Sequence, residues 1–220
     1  MGKETDILLI RHGETDWNAA KRLQGHIDIP LNQQGARQAG ALVQALRDEA
    51  LDAVITSDLQ RARQTALAVA QQQLLPVQSD PGLRERCYGA FEGMNYSEIG
   101  QRYPAAYAAW QSRDVDALYP PGERVAETLR QFYERTVACI LHWAQRHQGQ
   151  KIALVAHGGV LECAYRAARV MPLAAPRDFP ILNASINRLR VKDGALQLVA
   201  WGEVGHLDAA ALDEVDRRVP

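Results

Sequence analysis

Cysteine is scarce in this chain of 220 residues: there are three, Cys87, Cys139 and Cys163. The number is odd, the spacing wide, and no C-x-x-C pair occurs. That argues against a disulfide framework and against a cysteine-rich zinc site, and reduced thiols in the cytoplasm are the simplest expectation. Long apolar runs are missing too. No stretch approaches transmembrane length, and the apolar run that follows Lys3 and Glu4 is too short for the core of a signal peptide. Met1-Gly2 would suit myristoylation only with Ser or Thr at position 6, where Asp6 stands. An excess of either charge is absent, since the net charge is −1. Nothing global therefore favours a nucleic acid or an anionic membrane as partner, and anion binding has to come from a local cluster of cations. Lysine is rare, at 4 residues against 21 arginines. Arginine suits bidentate contacts to phosphate, although genomic base composition accounts for the bias equally well. Neither G-x-x-x-x-G-K-[ST] nor a G-x-G-x-x-G after a strand occurs, which argues against the common nucleotide-binding loops. No acidic cluster of the magnesium-binding kind is evident, and no repeat or low-complexity tract.

What is present is an ordinary globular composition, 47% hydrophobic and 23% charged, in a chain long enough for one large α/β domain spanning 1–220. Residues 7–10 read as a buried strand, and a long polar connection follows from 16 to 34. A helix is expected over about 35–49, a strand over 53–56, and a helix over 59–73 with Ser57-Asp58 as its N-cap. Residues 76–78 suggest a third strand. Residues 93–121 hold Tyr96, Tyr103, Tyr107, Trp110 and Tyr119 among short helical patterns, and read as a lid-like excursion that leaves the sheet and covers its edge. A long helix is expected over about 123–147 from the spacing of Val125, Leu129, Phe132, Ile140 and their neighbours. Then come a strand at 152–155, a helix at 160–170, and two strands at 185–191 and 195–201 joined by Asp193-Gly194, a hairpin signal. From His206 the tail reads as helical or frayed. This order predicts a three-layer α/β/α sandwich with a mainly parallel mixed sheet and a small helical lid insertion. The hairpin leaves a sheet edge on which a second copy could pair.

Two strands end alike. Ile10 is followed by Arg11-His12-Gly13, and Val155-Ala156 by His157-Gly158-Gly159. In open α/β sheets ligands bind at the carboxyl ends of strands, and Gly13 lets the chain turn sharply and a ligand approach. One histidine at such a junction reads as an ordinary buried residue; two at matched junctions point to a site. Arg61 falls in the first turn of the 59–73 helix, where the helix N-terminus adds partial positive charge. Arg63 lies about 200° further round that helix and reads as structural. Glu85, between Arg84 and Arg86, precedes a glycine-rich turn.

Arg11-His12-Gly13-Glu14-Thr15, Ser57-Asp58-Leu59-Gln60-Arg61-Ala62, Arg84-Glu85-Arg86-Cys87-Tyr88-Gly89 and His157-Gly158, in that order and spacing, resemble the histidine phosphatase superfamily, also called the phosphoglycerate-mutase-like family. The resemblance runs over about 7–207. It implies a metal-independent phosphoryl transfer in which His12 is the nucleophile, Arg11, Arg61 and His157 hold the phosphoryl oxygens, and Glu85 protonates the leaving oxygen and then activates the acceptor. Asn18 and the backbone near Gly158 match family positions that contact phosphate. Gln24, Gly25, Arg84 and Tyr88 are expected at the substrate with them. The other ring N–H of His12 requires an acceptor, which the sequence does not identify.

Water as acceptor gives a phosphatase of the histidine acid-phosphatase type, with no cofactor. A phosphoglycerate as acceptor gives a mutase primed by 2,3-bisphosphoglycerate. The cofactor-dependent mutases carry a lysine soon after the Gly-Leu-Asn turn and a pair of arginines further on. Here the turn is Gly93-Met94-Asn95, Tyr96 stands in the lysine's place, and Gln111 and Ser112 follow Trp110, with Arg113 the nearest cation. These departures favour hydrolysis of small phosphorylated metabolites, with the mutase as the alternative. A module that binds a phosphate ligand without chemistry is the reading of another class; retention of Arg11, His12, Arg61, Glu85 and His157 weighs against it.

Overall fold

The computed structural model describes residues 3–208 and 210–213. Among the described residues, seven α-helices and six strands follow one another in the order β1 (Thr5–Arg11), α1 (Asp16–Ala19), α2 (Gln33–Ala45), β2 (Ala53–Thr56), α3 (Gln60–Gln73), β3 (Val77–Ser79), α4 (Tyr96–Arg102), α5 (Pro104–Gln111), α6 (Leu129–Arg146), β4 (Lys151–Ala156), α7 (Gly158–Arg169), β5 (Ile186–Lys192) and β6 (Ala195–Glu203). The strands form one sheet in the order β3-β2-β4-β1-β5-β6. The first four of these neighbours run parallel and the terminal hairpin is antiparallel. The sandwich and mixed sheet expected from the sequence are those observed.

Period-two alternation explains the layers. In β1, Ile7 and Leu9 face a core shared with Phe132 and Ile140 of α6 and Leu161 of α7. Leu8 and Ile10 face the other side, against Leu42 of α2 and Ala62, Ala66 and Val69 of α3. Strands β1 and β4 are buried on both faces, which is why they read as unbroken apolar runs. The hairpin turn places both Asp193 and Gly194 at positive φ, +50° and +78°, as a two-residue primed turn requires.

Four local expectations change. The long helix begins at Leu129 rather than near 123, because Thr128 and Gln131 cap each other reciprocally and a capping box starts a helix. Val125 lies outside it and is 78% exposed. Leu59, without a side-chain bond, occupies the N-cap of α3. Asp58, expected there, instead pairs with Arg84 through Nε–Oδ1 at 2.7 Å and Nη2–Oδ2 at 2.5 Å, a charge-assisted bidentate contact that outweighs a single capping bond. Gly13 adopts no left-handed backbone; its role is close approach, since a Cβ there would sit 2.6 Å from the Gly35 carbonyl. The tail from His206, expected to be helical or frayed, falls partly on 209 and 214–220, outside the described residues; within them, Asp213 forms an isolated bridge with Leu182. Among the described residues no helix is long and apolar enough to cross a membrane.

Candidate active site

Register alone brings the two histidines together. Strands β1 and β4 pair Arg11 with Ala156, and the His12 N–H donates to the Ala156 carbonyl at 2.9 Å. The next residue along each strand is a histidine, and the ring centroids of His12 and His157 lie 5.2 Å apart at 62°. Both are buried. His12 Nδ1 is 2.6 Å from the Gly13 carbonyl. A carbonyl only accepts, so Nδ1 carries the proton and Nε2 keeps its lone pair; Gly13 is the acceptor the sequence did not reveal. Neither ring nitrogen of His157 is hydrogen-bonded in the structure. Buried polar groups normally find partners, which makes this imidazole an exception among the buried polar side chains.

The cations are held by carbonyls. Arg61 donates from Nη2 to Gly25 O at 2.8 Å and from Nη1 to Ile27 O at 3.1 Å. Arg11 donates from Nη1 to Ile181 O at 2.6 Å. These carbonyl acceptors help to fix the direction of each guanidinium.

Glu85 is anchored at both oxygens. Oε1 accepts from the Arg86 N–H at 2.7 Å and Oε2 from the Gly159 N–H at 3.0 Å, which sets the carboxylate against the positive end of α7. Gly159 is required for this approach, because a Cβ would lie 2.3 Å from Oε1. The His26 ring donates from Nε2 to the Glu85 carbonyl at 2.8 Å.

Arg11, His12, Asn18, Gln24, Arg61 and Glu85 line one cavity of about 410 Å³, together with Gly25 and Tyr88. Arg84 is not among its walls; it is spent on Asp58. Gly158 opens α7, and Gly159 rather than Gly158 meets Glu85. Two residues that sequence reasoning missed belong here. Arg22 lines the cavity. Asn183 donates from Nδ2 to the His12 carbonyl at 3.1 Å; it comes from the irregular, proline-punctuated stretch before β5 and has no local signal. A second cavity of about 650 Å³ shares Leu23, Tyr88 and Tyr96 with the first and adds Trp110, Tyr119 and Gly159. The aromatics of 93–121 thus do two things. Trp110 stacks on Tyr96 at 5.0 Å and Tyr119 on the neighbouring Phe91 at 4.7 Å, a small core of their own, and three of them, Tyr96, Trp110 and Tyr119, also wall the larger cavity.

Burial, and then the charges of Arg61 and Arg11, press the pKa of His12 well below its usual 6.5; His157 is lowered in the same way. Both imidazoles are neutral in the fold. As the pH falls below about 6.5 the unfolded chain gains protons that the folded chain refuses, so the stability held above that pH is progressively lost. The melting temperature is therefore expected to fall between pH 7 and pH 5. Low-millimolar sulfate, an oxyanion of constant charge over this range, should flatten the fall by favouring the protonated rings. Equal slopes with and without sulfate would count against an anion site at these histidines.

Residues 7–204 match the histidine phosphatase superfamily (branch 1). The chain belongs to that family. Among its relatives in this family, phosphoglycerate mutase-like protein 4 and the metal-independent phosphoserine phosphatase of Arabidopsis thaliana are each 37% identical, over 92% and 93% of this chain and 87% and 84% of their own. A probable phosphoglycerate mutase of Yersinia pestis is 33% identical over 96% of this chain and 99% of its own. In three dimensions the chain superposes on Bacillus stearothermophilus YhfR with a TM-score of 0.83, at 32% identity over 92% of this chain and 98% of that one. Among the described residues of this family member, no group of three or more His, Cys, Asp and Glu is arranged to hold a metal ion.

Proposed function

We propose that the chain hydrolyses small phosphomonoesters through a phosphohistidine on His12. The observation that carries this reading is the imidazole pair: one ring has its proton fixed on Gly13 O and its other nitrogen free to attack, and the neighbouring ring has no partner. His12 Nε2 forms the bond to phosphorus as the ester P–O bond breaks, and the proton of the monoanionic ester passes through the Glu85 carboxylate to the departing oxygen. Water then attacks the phosphohistidine and loses a proton to Glu85, which returns it to the departing inorganic phosphate, and both residues are back in their starting state. Phosphoryl transfer is mainly positioning and charge stabilisation. Arg11 and Arg61 supply the charge; a unit pair at 4 Å is worth about 4 kcal/mol at an effective dielectric of 20. Asn18, Gln24 and Tyr88 complete the wall around the phosphoryl group. Gly25 acts through Arg61, whose guanidinium its carbonyl accepts. Arg84 serves Asp58 and drops out of the substrate-binding set. The excursion at 93–121 acts as the lid, and the aromatic cavity beneath it receives the leaving group.

Water is favoured as acceptor over a phosphoglycerate because Tyr96 stands where the mutases carry a lysine and Gln111 and Ser112 stand in place of their arginine pair, while two of the three arginines that line the leaving-group cavity, Arg113 and Arg166, are bonded to Glu162. The test is a ³¹P NMR time course in EDTA with 3-phosphoglycerate, a trace of 2,3-bisphosphoglycerate and an aryl phosphate. Growth of inorganic phosphate alone is expected. Growth of 2-phosphoglycerate with little free phosphate would make the chain a mutase, and no change in any peak would support a binding module.

A further inference from the structure

We infer that Arg113 limits the length of the leaving group by latching the lid to α7 across the larger cavity. The inference rests on the phosphatase reading for the identity of that cavity and on the geometry for its wall. Arg113 lies just past the end of α5, at a left-handed φ of +56°. Its Nη2 donates to Glu162 Oε1 on α7, and its Nε donates to the Leu173 carbonyl at 3.1 Å. Glu162 also accepts from Arg166 Nε at 2.8 Å, and Arg166 donates to the carbonyls of Pro172 and Ala175, each at 2.8 Å. One ionic knot therefore joins the lid, α7 and the loop after it. Arg113, Glu162, Arg166 and Leu173 all line the larger cavity.

Helix α7 acts as a ruler for this space. Gly159 touches the Glu85 carboxylate and marks the chemical end. Glu162 stands three residues on, a rise of about 4.5 Å. A leaving group running along α7 from Glu85 meets the latch after roughly one helical turn, which leaves room for one ring between Tyr88, Trp110 and Tyr119 and no second ring in line. Helix α5 buries no residue of its own, so the latch and the aromatic stack hold it down. Replacing Arg113 leaves Glu162 paired with Arg166 and strands no buried charge. The chemical class this assigns is a phosphomonoester whose alcohol is compact, with one ring at most.

The experiment compares binding of phenylphosphonate and biphenyl-4-ylphosphonate by calorimetry, for the wild type and Arg113→Ala, with turnover of phenyl phosphate measured alongside. The wild type is expected to prefer the phenyl compound by about tenfold or more, the scale at which pocket size discriminates. In Arg113→Ala that preference should shrink by about tenfold through a gain in biphenyl affinity, with phenylphosphonate binding retained. An unchanged preference, or a parallel loss of both affinities, would overturn the role of Arg113. Binding without any turnover would overturn the phosphatase reading while the preference still judges Arg113, and no binding of either phosphonate would overturn both.

Discussion

Turnover falls by a factor on the order of 10⁴ to 10⁶ in His12→Ala, the scale on which removal of a nucleophile acts. The reason is that the cavity holds no substitute. Cys163 lies in the neighbouring cavity, but burial, and then Glu162 and Glu85, push its thiol pKa well above 9. Cys87 is also pushed up, chiefly by burial, so neither thiol supplies a thiolate at neutral pH. His157 lies beside His12 with ring centroids 5.2 Å apart, but it is fully buried, and no acceptor fixes its tautomer as Gly13 O fixes that of His12. Rapid acid-free quenching of the wild type during turnover should trap an acid-labile, base-stable phosphoryl enzyme, and His12→Ala should trap none. A variant that keeps a tenth or more of the wild-type rate, or still forms the phosphoryl enzyme, would move the nucleophile elsewhere, with His157 the first candidate.

Glu85→Gln separates substrates by their leaving groups. A carboxyl group that donates a proton matters when the departing oxygen is strongly basic. For an alkyl phosphate the loss in kcat/KM should be about 10²–10⁴. For 4-nitrophenyl phosphate, whose phenolate leaves unaided, kcat/KM should barely change. The variant also tests the anchoring. The carboxylate accepts from two N–H groups, those of Arg86 and Gly159; a carboxamide turns an NH₂ toward one of them, so a modest loss of melting temperature accompanies the kinetic change. Equal losses with both esters would mean that Glu85 acts by holding the start of α7 rather than by moving a proton.

The site was legible wherever its residues sit at a local boundary. Ile10-Arg11-His12-Gly13 and Ala156-His157-Gly158 are strand ends written in consecutive residues, and Arg61 is a first-turn residue written by the strand before it. Where a partner lies far along the chain, local reading failed. Asp58 has the form of a helix cap, but Arg84, 26 residues later, claims its carboxylate, and the same pair withdraws Arg84 from the substrate. Val125 fits the period of the long helix, yet the neighbouring 122–127 segment runs beside Cys87, with the Glu127 N–H donating to Cys87 O at 2.9 Å, and helix begins only at the Thr128 cap. Asn183 and Glu162 carry no local mark, because their meaning lies in His12 and in Arg113.

Sequence by itself determined the alternation of buried strands and amphipathic helices, the two histidine junctions, the family, and most of the polar residues that gather at the cavity, because each is encoded within a few consecutive residues or a fixed order of them. Only the tertiary structure decided that β1 and β4 are neighbours in a register that sets the imidazoles side by side, that Gly13 holds the proton of His12, that Gly159 rather than Gly158 meets Glu85, and that Arg113 reaches α7. Apart from Gly13, which follows His12 directly, those are contacts between residues tens to more than a hundred positions apart. They exist because burying both faces of the sheet fixes the order of its strands, and the strand order then fixes which distant side chains share a cavity.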